Sequence, residues 1–169
     1  MLEQLVIIIG KLYVLFQALH SKSDDAFEII AELGDPMIPV CAGMLSEASK
    51  NCRVILAGGT QMTAVLAFAK KVGYEKNNTA IGCTSYIIND KEALFLETVK
   101  QIDDIVVLAI DPMLSDSQFH GLRSYSEGFV KEGAGAGGSL IASVLKTGRS
   151  SERLLELIEK EYQRISTLQ

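Results

Sequence analysis

Two glycine-rich stretches hold the residues whose types and spacing suit chemistry. The first is Gly58-Gly59-Thr60-Gln61, directly after the apolar run Arg53–Ala57. A strand ending in two glycines and a helix opening with Thr60 would expose unpaired backbone N–H groups at the positive helix end, a place to hold a phosphate or carboxylate. The same residues equally suit a plain strand-to-helix turn, with glycine supplying positive φ and threonine a cap. The second stretch is Lys131-Glu132-Gly133-Ala134-Gly135-Ala136-Gly137-Gly138-Ser139. Its glycines let a ligand approach the backbone closely, and a helix follows at once; glycine segments of this kind also serve as linkers. Glu132 is the acid beside that helix start. An unpaired carboxylate in an apolar, water-poor pocket has its pKa raised towards neutrality and becomes a usable general base, whereas a surface glutamate is simply solvated.

Several other chemistries are excluded. Gly133, Gly135 and Gly138 satisfy the spacing G-x-G-x-x-G, but no convincing strand precedes them and the next element is the helix 150–165. The dinucleotide fingerprint needs a second strand with an acid about 20 residues on. There is no G-x-x-x-x-G-K-[ST], so a P-loop is out. The loop Phe119–Phe129 carries His120 and Arg123, yet no Ser–His–Asp or Cys–His spacing suggests a side-chain nucleophile. Cys41, Cys52 and Cys83 form no CxxC pair and no ligand pattern with His20 and His120. No metal is therefore expected, and a reducing, cytoplasmic compartment is.

The elements that must position these residues follow from hydrophobic spacing. Ser23–Leu33 places Phe27, Ile30 and Leu33 at three-residue intervals behind two aspartates, an amphipathic helix with acids at its positive end. Asp35–Pro36 reads as an N-cap and first helical residue of a second helix running to about Lys50. Arg53–Ala57 is a buried parallel strand, and Thr60 caps a helix over 61–72. Thr79–Ile88 is a second strand, Asn89–Asp90 starts a helix through Ile102, and Asp104–Ile110 is a third strand. A loop from Asp111 to about Glu127 precedes two closing helices, Gly138–Lys146 and Ser150–Ile165, parted by Gly148. Strand–helix alternation predicts an α/β fold of three layers, a mainly parallel sheet with helices on both faces. Ligands in such sheets sit at the carboxyl ends of the strands, where both glycine clusters fall.

The chain of 169 residues is about one domain long at ~100–200 residues each. Its 48% apolar and 22% charged content fits a globular protein, and a net charge of −5 argues against a general nucleic-acid or anionic-membrane binder. Leu5–Leu19 is apolar with Lys11 at its centre, shorter than the ~20 residues of a spanning helix. Residues 1–22 are expected to form an interface or a remnant, and 23–169 a single domain.

Three segments, GDPMIPVCAGMLSEA, VILAGGTQMTAVLAF and LRSYSEGFVKEGAGAGGSLIA, together resemble the nicotinate-nucleotide–dimethylbenzimidazole phosphoribosyltransferase family, in its divergent branch. The likeness runs from about Ser23 to Gly148 and covers the C-terminal half of that family. It implies transfer of the phosphoribosyl group of nicotinate mononucleotide to a benzimidazole nitrogen with inversion at the anomeric carbon, and no metal or redox cofactor. The family's catalytic acid falls on Glu132, as the general base that removes the azole proton. Gly58, Gly59, Thr60, Gln61, Thr84, Ser85, Gly133, Gly135 and Gly137 are the implied substrate contacts. The family's N-terminal half supplies a phosphate segment and much of the benzimidazole pocket, and neither is visible in this sequence. Homodimerisation, or pairing with that half, is implied. The alternative is a non-enzymatic nucleotide-binding or oligomerisation subunit of the same fold.

Overall fold

A computed structural model describes residues 25–33, 35–90, 94–127 and 134–167. The apolar segment 1–22 lies outside the described residues, as do Glu132 and Gly133. In chain order the helices are α1 (Ala26–Leu33), α2 (Met37–Ala48), α3 (Thr60–Val72), α4 (Ser85–Asn89), α5 (Phe95–Ile102), α6 (His120–Ser126), α7 (Ala134–Thr147) and α8 (Ser151–Ser166). Three strands, β1 (Val54–Ala57), β2 (Thr79–Thr84) and β3 (Val106–Ile110), form a parallel sheet in the order β1-β2-β3. The register pairs Leu56 with Ile81 and Ile81 with Val107, and on the opposite face Ala57 with Gly82 and Gly82 with Leu108. The predicted three-layer α/β arrangement is the one observed.

The alternation of strand side chains divides the packing. Leu56, Ile81 and Cys83 face the main core, where they meet Ile38, Ala42 and Leu45 of α2, Val65, Leu66, Phe68 and Ala69 of α3, and Phe95 and Val99 of α5. A chain that steps from β1 to β2 to β3 in one direction keeps its crossover helices on one face, and α3 and α5 do lie together there. Phe27 of α1 adds an edge-to-face contact with Phe68, ring centroids 5.5 Å apart.

Helix α7 covers the other face by a different means. A Cβ on Gly138 would lie 2.7 Å from Ala57 Cα, and one on Gly137 would lie 2.6 Å from Cys83 O and still nearer the Thr84 amide nitrogen. On the strand side, a Cβ on Gly82 would lie 2.9 Å from Gly138 Cα. Helix backbone therefore rests on strand backbone, and Ile141 is the buried side chain that follows one turn on. This corrects the expected helix start at Gly138. The helix begins at Ala134, so Gly135, Gly137 and Gly138 are helical residues rather than a loop. Glycine's poor helix propensity made the segment read as a linker, and the close contact with the sheet outweighs that propensity.

Other boundaries also differ. The strand expected over 79–88 ends at Thr84, and Ser85–Asn89 is a helical turn. The loop expected over 111–127 contains a 3-10 turn at Leu114–Asp116 and the helix α6. Thr60 is the first residue of α3, and the N-cap is Gly59, with no side-chain cap bond. All three cysteines are free. Among the described residues, no helix is long and apolar enough to cross a membrane.

The edge of the sheet where the strands begin is tied by polar groups. Tyr74 donates its hydroxyl hydrogen to Asp103 Oδ2 at 2.9 Å, Lys76 Nζ lies 3.1 Å from Asp103 Oδ1, and Lys70 Nζ donates to Ile102 O. Burial acts to raise the Asp103 pKa, but the bonds from Tyr74, Lys76 and the Asp104 amide, with the charge of Lys70, outweigh it and hold the carboxyl below its ordinary value. A carboxyl whose folded pKa is depressed stabilises the fold above its unfolded pKa, and that contribution is lost as pH falls through the folded value.

Two measurements test these contacts. Gly137→Ala is expected to cost about 1–3 kcal/mol from the backbone clash, whereas Gly43→Ala stabilises by about 0.5–1 kcal/mol. Gly43 lies exposed on α2 with nothing within 4 Å of its Cβ position. Denaturant midpoints give both values. Tyr74→Phe is expected to cost about 1.5 kcal/mol at pH 7, and the difference from the parent protein should shrink as pH falls below ~4 and Asp103 protonates.

Candidate functional site

The carboxyl ends of the three strands gather most of the residues singled out from sequence. At the end of β1, Gly58 and Gly59 are buried and the chain turns at once into α3. Gly58 donates its N–H to Gly82 O at 3.0 Å, so its amide belongs to the sheet ladder. The next amides, of Gly59, Thr60 and Gln61, open α3, and the first N–H groups of a helix have no intrahelical partner. No side chain caps them. Gln61 is exposed, while Thr60 is half-buried and accepts the Thr63 hydroxyl on its carbonyl at 2.5 Å.

The first turn of α7 stands beside this one. A Cβ on Gly135 would lie 3.4 Å from Ala57 O, the last residue of β1. Two helix N-termini thus flank one strand end. Their dipoles present roughly half a positive charge each to the same region, although the chain as a whole carries −5. An anion is favoured there over a cation. Gly137 is buried against Cys83 and Thr84, so the steric need for glycine at 137 is already met by the sheet.

At the end of β2, Thr84 is 1% exposed and its hydroxyl lies 3.3 Å from the Tyr125 hydroxyl of α6. Ser85 opens α4, with Thr84 in extended geometry as its cap residue. Tyr86 and Tyr125 meet nearly edge to face, centroids 5.3 Å apart. The Tyr86 hydroxyl is buried and makes no hydrogen bond of good geometry. Burial raises its pKa and the nearby charge of Asp111 raises it further, against the polar groups of Ser115 and the Leu114 amide, which stand close enough to lower it. Asp111 directly follows β3 and accepts the Met113 N–H at 2.8 Å, and Met113 stands in the left-handed region at φ 56°.

The structure thus brings Gly58, Gly59, Thr60, Gln61, Thr84, Ser85, Gly135 and Gly137 to one edge, from three separate segments of chain. Sequence reasoning missed Tyr86 and Tyr125. Tyr86 lay inside a segment read as strand, and Tyr125 in one read as loop; Ser-Tyr-Ser-Glu carries little apolar periodicity to betray a short helix.

The chain is similar to UPF0284 proteins, a name that states no activity. It is 40% identical over 143 residues to the one from Pyrococcus abyssi, 41% over 142 residues to that of Thermococcus gammatolerans, and 40% over 150 residues to that of Gloeothece citriformis. These matches cover 84–85% of this chain but only 40–41% of each relative. No family model matches the sequence. The chain therefore spans about two fifths of the length of the curated relatives it matches.

Proposed function

We propose that this chain carries the phosphoribosyl half of a site that transfers the phosphoribosyl group of nicotinate mononucleotide to a benzimidazole base. The observation that carries the reading is the pairing of the α3 and α7 N-termini at the end of β1. An anionic 5′-phosphate is the kind of group that two neighbouring helix starts in a parallel sheet hold. Glu132 stands two residues before α7 in the chain, in the position of the acid in the family that the sequence resembles.

The chemistry asks little more of the protein. As the azole nitrogen attacks the anomeric carbon, the new C–N bond forms on the face opposite the departing nicotinate. The bond to nicotinate breaks with its electron pair, and the proton of the other azole nitrogen passes to the Glu132 carboxylate. Such a transition state has oxocarbenium character. Positioning and fixed dipoles at the phosphate stabilise it without a covalent nucleophile. In this reading Thr84 and Ser85, at the end of the adjacent strand, border the ribose. The benzimidazole pocket is assigned to the part of the relatives' length that this chain does not span.

Titration calorimetry of the purified chain with nicotinate mononucleotide tests the reading. Binding is expected for the parent protein and for Glu132→Gln alike. Transfer is read with the part of a UPF0284 relative that this chain does not span added to it, and there Glu132→Gln should lower the rate about 10²–10⁴-fold, the usual worth of a general base. Absence of nucleotide binding, or equal transfer rates in the two proteins, would overturn it. Binding without transfer in either protein would favour the non-enzymatic nucleotide-binding subunit.

A further inference from the structure

Tyr125 reaches the end of β2 from a helix of only seven residues, too short to be stable on its own merits. Something must hold α6 in place, and the bonds that do so come from the last helix of the chain. Glu159 of α8 accepts the Ser117 hydroxyl hydrogen at 2.7 Å, the Gln118 N–H at 2.8 Å and the Gln118 side-chain amide at 3.2 Å. Ser117 is 3% exposed and acts as a hub. Its hydroxyl accepts the Phe119 N–H at 3.1 Å, and its carbonyl accepts Arg123 Nη1 at 2.6 Å. Both of those partners belong to the cap or body of α6.

A second contact lies three residues along α8, on the same helix face. The Tyr162 ring packs on Phe119, centroids 5.1 Å apart. The Tyr162 hydroxyl occupies the space where a Cβ on Gly121 would sit, with Tyr162 Cζ 3.2 Å from that point. A side chain at Gly121 would displace the end of Tyr162, while the backbone angle there does not call for glycine. Among the described residues, the hydrogen bonds that α8 makes beyond its own helix and cap end on residues 117 and 118. The Ser117 hydroxyl and the Gln118 amide also hold the Glu159 carboxyl below its ordinary pKa, as a carboxylate that accepts several bonds must be.

We infer that α8 is a positioning element for the strand-end site: Glu159, through Ser117 and Gln118, holds α6 so that Tyr125 stays on Thr84 and Tyr86. Glu159 touches none of the residues assigned to substrate. It acts through α6, and its importance to ligand binding rests on the reading proposed above. Tyr125 is the working end of this linkage. Its hydroxyl fixes the Thr84 side chain, and its ring closes one side of Tyr86.

The test uses the whole chain in three forms: parent, Glu159→Ala and Glu159→Gln. Amide hydrogen exchange is followed in residues 60–72, 79–84 and 120–126, together with calorimetric titration by nicotinate mononucleotide. Glu159→Ala should speed exchange in 120–126 about tenfold or more, the factor expected for losing one charge-assisted hydrogen bond, and leave 60–72 and 79–84 unchanged. It should weaken nucleotide binding several-fold. Glu159→Gln keeps a carbonyl acceptor for Ser117 and Gln118 and should recover most of both effects. Gly121→Ala, which displaces Tyr162, should reproduce the local exchange effect if Glu159→Ala fails to fold. A uniform rise across all three segments would make Glu159 a general stabiliser and overturn the inference, as would no rise at all. A local rise with unchanged affinity would separate α6 from the site and also overturn it. If the parent protein does not bind the nucleotide, the proposed function fails, and the exchange pattern alone decides whether α8 positions α6.

Discussion

The contact on which the rest of this structure depends is the one between bare backbones. Gly137 and Gly138 of α7 lie on Ala57, Gly82, Cys83 and Thr84 with no side chain between them. Ordinary helix-on-sheet packing keeps the two about 10 Å apart, because side chains fill the gap. Here the layer collapses, and the first turn of α7 is brought level with the end of β1. A bulkier pair would lift the helix and separate its N-terminus from that of α3. The glycines that read as a flexible cradle are thus a rigid seat, and the anion-favouring character of the edge follows from how near the two helices are allowed to come.

The two edges of the sheet are built to opposite ends. Where the strands begin, Tyr74, Lys70, Lys76 and Asp103 knit the connections together. Where they finish, the start of α3 has no side-chain cap and Met113 stands at positive φ. Departures from local optimum of this kind concentrate where a protein must bind something.

Much of this was legible in the residues. Arg53–Ala57 and Asp104–Ile110 announced β1 and β3 by length and β-branched content, and Pro36 and Gly148 marked helix limits close to the observed ones. The C-terminal helix was read within a residue of its observed limits, with Ser150 serving as its N-cap by accepting the Arg153 N–H at 3.4 Å. The site was legible only as two glycine clusters. Their meeting is a tertiary fact, since residues 58–61 and 135–138 are far apart in sequence. The helical turn at Ser85–Asn89 was hidden because Ser-Tyr-Ile-Ile favours strand by composition, and the parallel register with β3 stops at Thr84. Tyr125 was hidden because α6 owes its existence to partners on α8, which no local pattern records.

The order β1-β2-β3 leaves one side of β1 and one side of β3 without a strand neighbour among the described residues. Val106, at the start of β3, is 59% exposed, and no charge interrupts Val106–Ile110. Native proteins guard such rows of free amides and carbonyls with lysine, proline or a covering element, because an open, apolar strand is a template for another chain. The outer side of β3 carries none of these on its own residues. Among the described residues, that outer row is thus the one place where a further strand would extend the sheet in its own plane, with backbone groups rather than side chains making the join.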